Sequence, residues 1–203
     1  MGLQLGETAP DFVAETTEGT IRFHEWIGDS WAVLFSHPKD FTPICTTELG
    51  SVAKLSPEFR RRNVKLIDIA ETQGLRPDYP IIADTDLNVS KLYGMLEADA
   101  EGDAASRCAM DNRTVRSVFV IDPDKRVRLI TMYPMQTGRN FTEMLRAVDS
   151  IQLTTRYPVA TPASWQPGED VMLSLMVSDE KAKVLFGDFR APKPYIRIIP
   201  QPE

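Results

Sequence analysis

The chain has 203 residues, 42% of them hydrophobic and 26% charged. That is enough for one sizeable core and a small appended module, and it excludes a disordered tail or a stapled miniprotein. The net charge of −6 comes with basic runs no longer than Arg60-Arg61-Arg62, so no polyanion-binding stripe exists and nucleic acid is not an expected partner. No uncharged apolar window approaches ~18 residues, and the opening MGLQLGETAPDF lacks a basic stretch followed by an apolar one. No transmembrane segment or secretory signal is therefore expected.

Taken in chain order, the first strong signal is WAVLFS from Trp31, an apolar run of strand length. NVKLIDIA from Asn63 and YPIIAD from Tyr79 read as two further strands. A helical pattern lies between the first two. Leu49, Val52, Ala53 and Phe59 give it an apolar face, Arg60 to Arg62 suit its end, and Pro57 is expected to kink it. VRSVFVIDPDKRVRLITMY reads as a hairpin with arms Val115 to Ile121 and Val127 to Tyr133 around the turn Asp122-Pro123-Asp124-Lys125. Asn140 with Glu143 has capping-box spacing, and Phe141, Met144, Leu145, Val148 and Ile151 recur at helical period, predicting a helix over about 140–153. These elements make an α/β sandwich around a mixed central sheet flanked by helices.

Beyond Thr154 the texture changes, with 7 of the 15 prolines in the last quarter of the chain. That density favours extended and turn structure. The expected division is a main domain over 1–154 and an extension over 155–203, built of short strands and one helical region near Ser178 to Phe186.

The two cysteines, Cys45 and Cys108, have no C-x-x-C spacing and no histidine pair nearby. This argues against a metal site and against a disulfide scaffold, and it points to a reducing, cytoplasmic setting. Cys45 stands in SHPKDFTPICTTELG, where Thr42 suits an N-cap, Pro43 the first helical position, and the thiol falls in the first turn. A thiol of ordinary pKa ~8.5 is about 3% ionised at neutral pH, and shifting it by ~2 units takes about 2.7 kcal/mol. A helix N-terminus contributes roughly 0.3 to 2 kcal/mol, so a working thiolate needs a nearby cation as well. On local pattern alone, Cys45 is equally a small core hydrophobe or a nucleophile.

Pro38, Thr42 and Cys45 in PKDFTPIC, with the flanking DFTP and CTTE, resemble the P-x-x-x-T-x-x-C signature of the peroxiredoxins of AhpC/TSA type. TGRNF from Thr137, VATP from Val159, W-x-P-G-E-D-V from Trp165 and KPYIR from Lys193 are similar to the 1-Cys class, which carries a C-terminal extension. The resemblance implies a thioredoxin-like fold and a thiol-dependent peroxidase, an antioxidant oxidoreductase acting on hydrogen peroxide and organic hydroperoxides. It implies Cys45 as the peroxidatic cysteine, Thr42 as hydrogen-bond partner of thiolate and peroxide, Pro38 as a shield from water, and Arg116 as the missing cation. His37, Glu48 and Arg139 match positions around the pocket. No cofactor or metal is implied beyond an external reductant, a small thiol or a thioredoxin-type protein. Cys108 is read as an incidental thiol rather than a resolving one. A homodimer formed through the strand edge Val127 to Tyr133, with a higher ring as its alternative, completes the expectation.

Two further readings belong to the same resemblance. Some members of the class are described as phospholipase A2-type esterases, and the matching positions are Ser30, His24 and Asp124, although GDSWA ends in Ala32 where the G-x-S-x-G elbow has glycine. An oligomeric chaperone or redox-scaffold role is the other. One departure stands out: Ile67 runs directly into Asp68, where the family carries about fifteen more residues, enough for a helical crossover. A true deletion there is expected to shorten a strand and remove a covering helix.

Overall fold

The run Trp31–Ser36 (β3) is buried along its whole length, as a strand must be when both faces of its sheet are covered. It is reached through a hairpin, Val13–Thr16 (β1) and Gly19–Arg22 (β2), and a short helix, Phe23–Ile27 (α1). That hairpin was not expected from the sequence, although Gly19, which opens β2 at φ +104° right after the Thr17-Glu18 turn, is a glycine signal. In this computed structural model residues 2–38, 43–70, 77–97 and 114–203 are described. Thr42 and Cys108 lie outside them.

After β3 come the helix Pro43–Arg61 (α2), the strands Val64–Ala70 (β4) and Ile81–Ala83 (β5), the short helix Asn88–Leu92 (α3), and the hairpin Arg116–Ile121 (β6) with Val127–Tyr133 (β7). The strands form one mixed sheet in the order β2-β1-β5-β4-β3-β6-β7, with β3, β4 and β5 parallel and the remaining pairs antiparallel. The β6–β7 turn is the expected one. Lys125 takes φ +64° and its N–H returns to the Asp122 carbonyl at 2.9 Å. One face of the sheet carries a core of Leu34, Ile67, Ile69 and Phe119 packed with Phe23 and Tyr93.

The junction at Ile67-Asp68 does not shorten β4. The residues after it, Asp68, Ile69 and Ala70, complete the strand, pairing with β3 through Phe35↔Asp68 and Ser36↔Ile69 and with β5 through Asp68↔Ile81. The physical reason is that these residues keep the in-and-out alternation: Ile67 and Ile69 enter the core, and Asp68 points to the opposite face. The loss falls on the crossover. Parallel neighbours are ordinarily joined by a dozen or more residues forming a helix, whereas β4 and β5 are joined by Glu71–Pro80, whose described part, 77–80, is not helical. A cleft of about 210 Å³ opens nearby, bordered by Ser56, Arg60, Leu66, Asp78, Tyr79 and Pro80.

The chain divides into two compact units, Met1–Phe141 and Thr142–Glu203. The second holds nearly all of the helix Phe141–Arg156 (α4), the strands Val159–Ala160 (β8) and Val171–Leu173 (β9), the helix Asp179–Phe186 (α5), and the strands Arg190–Lys193 (β10) and Ile196–Ile199 (β11). Its four-stranded sheet runs β10-β11-β9-β8, and Trp165, Val171, Leu173 and Ile199 form its own core with Leu153. Ser178 caps α5, accepting from the Lys181 N–H. No described helix is long and apolar enough to cross a membrane.

Candidate active site

Cys45 is the third residue of α2, fully buried in its first turn. Glu48 lies one turn on, so both side chains leave the same face of the helix. From β6, Arg116 reaches across: its Nη1 donates to Cys45 Sγ at 3.5 Å and to Glu48 Oε2 at 2.5 Å, while Nε donates to the Met135 carbonyl at 2.8 Å. The cation that the helix N-terminus needs is in place, 71 positions along the chain.

Glu48 is the clamp of the site. Arg139, on the segment between β7 and α4, gives it the backbone N–H at 2.7 Å, Nε at 3.0 Å and Nη2 at 3.0 Å. The remaining Arg139 nitrogen, Nη1, donates to the Ser117 carbonyl at 2.8 Å, and the guanidinium stacks over Phe35 and Phe141. Burial raises the Glu48 carboxyl, but the hydrogen bonds and charge of Arg139, aided by the charge of Arg116, outweigh it and hold the group below the ordinary range. Two guanidiniums against one carboxylate leave one unit of positive charge beside the sulfur. Reactive cysteines sit in such electropositive surroundings, whereas a purely structural buried cysteine does not need them.

His37, immediately after β3, is buried, and its Nδ1 lies 2.6 Å from Asp68 Oδ2 on β4. Its carbonyl accepts from Thr114 Oγ at 3.2 Å. Pro38 beside it is also buried. The structure thus brings Cys45, Arg116, Glu48 and Arg139 into direct contact, with His37 and Pro38 at the end of β3. Asp68 was singled out in the sequence only as a junction; the available signal was a carboxylate set between apolar residues in LIDIA.

The residues of the esterase reading do not assemble. Ser30 Oγ donates to Asn63 Oδ1 at 2.9 Å, the His24 ring bonds the Ala9 carbonyl at 2.8 Å through Nε2, and the exposed Asp124 bonds neither of them. A serine nucleophile needs its base within hydrogen-bond reach and a third group orienting that base.

The AhpC/TSA family model matches residues 5–130, and that of the C-terminal domain of 1-Cys peroxiredoxin matches 150–186. Peroxiredoxin-6 of Gallus gallus is 46% identical, covering 100% of this chain and 99% of that protein. The chain belongs to the 1-Cys peroxiredoxins. As a peroxiredoxin it is a thiol-dependent peroxidase on a thioredoxin-like fold with a C-terminal extension. A yeast mitochondrial 1-Cys peroxiredoxin, solved for its thiol-resolving mechanism via glutathione/thioredoxin systems, matches with a TM-score of 0.86 at 45% identity, over 98% of this chain and 99% of that one. A cysteine-to-serine mutant of peroxiredoxin 6 from Arenicola marina matches with a TM-score of 0.87 at 43% identity over 100% of both. The chicken alignment spans 227 positions against 203 residues here, so this peroxiredoxin is the shorter sequence across it.

Proposed function

We propose that Cys45 is the peroxidatic cysteine of this peroxidase, on the single observation that an arginine nitrogen lies 3.5 Å from its sulfur at the start of a helix. The thiolate attacks one oxygen of a hydroperoxide. An S–O bond forms, the O–O bond breaks, sulfur is oxidised to the sulfenic acid, and the departing alkoxide or hydroxide takes a proton to leave as alcohol or water. Arg116 Nη1 is committed to Cys45 and Glu48, and its Nη2 makes no bond among the described residues, so Nη2 is the donor available to the oxygen on which charge develops. Thr42 takes the role of hydrogen-bond partner to the peroxide, and Pro38 walls the thiolate from water.

An external thiol closes the cycle. It attacks the sulfenic acid to release water and form a mixed disulfide, and a second thiol then restores Cys45. The yeast relative's glutathione/thioredoxin systems suggest either kind of reductant, and Cys108 is given no resolving role. The reading carries with it a homodimer through the β7 edge, a peroxidase domain over 1–154 followed by the extension 155–203, no cofactor, and a reducing compartment, the cytoplasm or, as in yeast, the mitochondrion.

Intact-mass measurement after one equivalent of hydrogen peroxide tests this. The expected product gains one oxygen at Cys45 and is trapped by a sulfenic-acid reagent. Loss of two hydrogens with a Cys45 to Cys108 link would overturn the 1-Cys reading, and peroxidase turnover by Cys45→Ser would overturn the assignment of the nucleophile.

A further inference from the structure

Two buried carboxylates act on Arg139 from different elements, and their surroundings are unlike. Glu48 accepts four N–H donors, three from Arg139 and one from Arg116. Asp68, at 0% exposure, bonds the His37 ring at 2.6 Å and the Ile69 N–H at 2.9 Å, and among the described residues no arginine bonds it. An ionised carboxylate offers about four acceptor sites, and among the described residues only two donors reach Asp68. Tyr79, whose hydroxyl is buried and unpartnered, feels the Asp68 charge without donating to it.

Charge balance makes this matter. The excess of one positive charge beside Cys45 survives only if no further anion acts on the guanidiniums. A fully ionised Asp68 next to a neutral His37 would cancel it through Arg139.

We propose that Asp68 is a positioning residue for the peroxidase reaction: it fixes the His37 ring and shares one proton with it, so that the pair is neutral overall and the guanidiniums at Cys45 keep their excess positive charge. Asp68 opens the stretch where this chain departs from its family, so the resemblance does not supply the role. Burial pushes its carboxyl up from the ordinary aspartate value, against the lowering effects of His37, Arg139 and the Ile69 N–H. The groups that face it are His37 at the end of β3, Arg139 before α4, and Tyr79 before β5, with Glu48 of α2 and Arg116 of β6 behind Arg139. Because burial raises the Asp68 carboxyl, the shared proton leaves only at higher pH than an ordinary aspartate's would, and the negative charge then left acts on Arg139 and slows the reaction. The pair titrates as a unit, not as two separate groups.

The inference rests on Cys45 being the nucleophile, and two measurements separate the two claims. The chain has 2 histidines, so the nitrogen-15 ring spectrum of His37 is readable in the wild-type protein. Expected are a protonated Nε2 and a strongly deshielded proton between Nδ1 and Asp68 at neutral pH; a ring with an unprotonated Nε2 would overturn the proposal even if no variant folds. In Asp68→Asn the second-order rate with hydrogen peroxide is expected to fall about tenfold or more, the size of a lost hydrogen bond to a charged group. Its alkaline limb should vanish, because the variant pair has no shared proton to lose. If Cys45→Ser is inactive while Asp68→Asn keeps the wild-type pH profile, only the role of Asp68 fails.

Discussion

Glu48 holds two buried guanidiniums, and removing its charge leaves both without a counter-ion. Breaking a buried pair in this way costs about 3 to 5 kcal/mol, so Glu48→Gln is expected to lower denaturant stability by that order in equilibrium unfolding. The pH dependence follows from the lowered Glu48 carboxyl: its contribution is complete above the ordinary value of 4.5 and is lost as pH falls through the lowered folded value. Unfolding measured from neutral to acid pH should show a loss that Glu48→Gln lacks. Arg116 acts through geometry as much as charge. Lysine keeps the charge but not the planar fork that spans Met135, Glu48 and Cys45, and Arg116→Lys should reduce the stopped-flow rate with peroxide by about 10² to 10³, the usual cost of a lost oxyanion donor.

At the scale of elements, α2 runs continuously from Pro43 through Pro57 to Arg61. Pro57 supplies no N–H, so the Ala53 carbonyl lacks its ordinary intrahelical donor. Both residues are exposed, and Pro57→Ala should therefore raise stability, by about 1 to 3 kcal/mol in thermal melts, without changing peroxide turnover. The approach of the Arg139 segment to the start of α2 is looser than its glycine suggests. A Cβ on Gly138 would meet Ile44 Cγ2 at 3.6 Å, an ordinary contact, and its φ is not positive. Gly138→Ala should cost less than about 1 kcal/mol in the same melts.

For the whole molecule, the large sheet ends at β7, an edge strand with Met132 half exposed. Open edges invite pairing with a second copy. If the proposed homodimer pairs through this edge, Met132→Asp should delay elution in size exclusion toward monomer size, and an unchanged elution volume would overturn the β7 contact.

Strands β3, β4 and β5, the β6–β7 hairpin and α4 were legible because each is a run whose apolar period or turn chemistry is local. The β1–β2 hairpin was not, being short, half-exposed and polar. The same division holds for the site. The sequence by itself determined that Cys45 falls in the first turn of a helix after Pro38 and that a working thiolate there needs a cation, since helix capping and thiol ionisation are properties of neighbouring residues. Only the tertiary structure decided that Glu48 ties Arg116 to Arg139, that β4 survives its junction, and that Asp68 meets His37. Those contacts join residues from 31 to 91 positions apart, and burial and charge balance at such separations exist only once the sheet has brought them together.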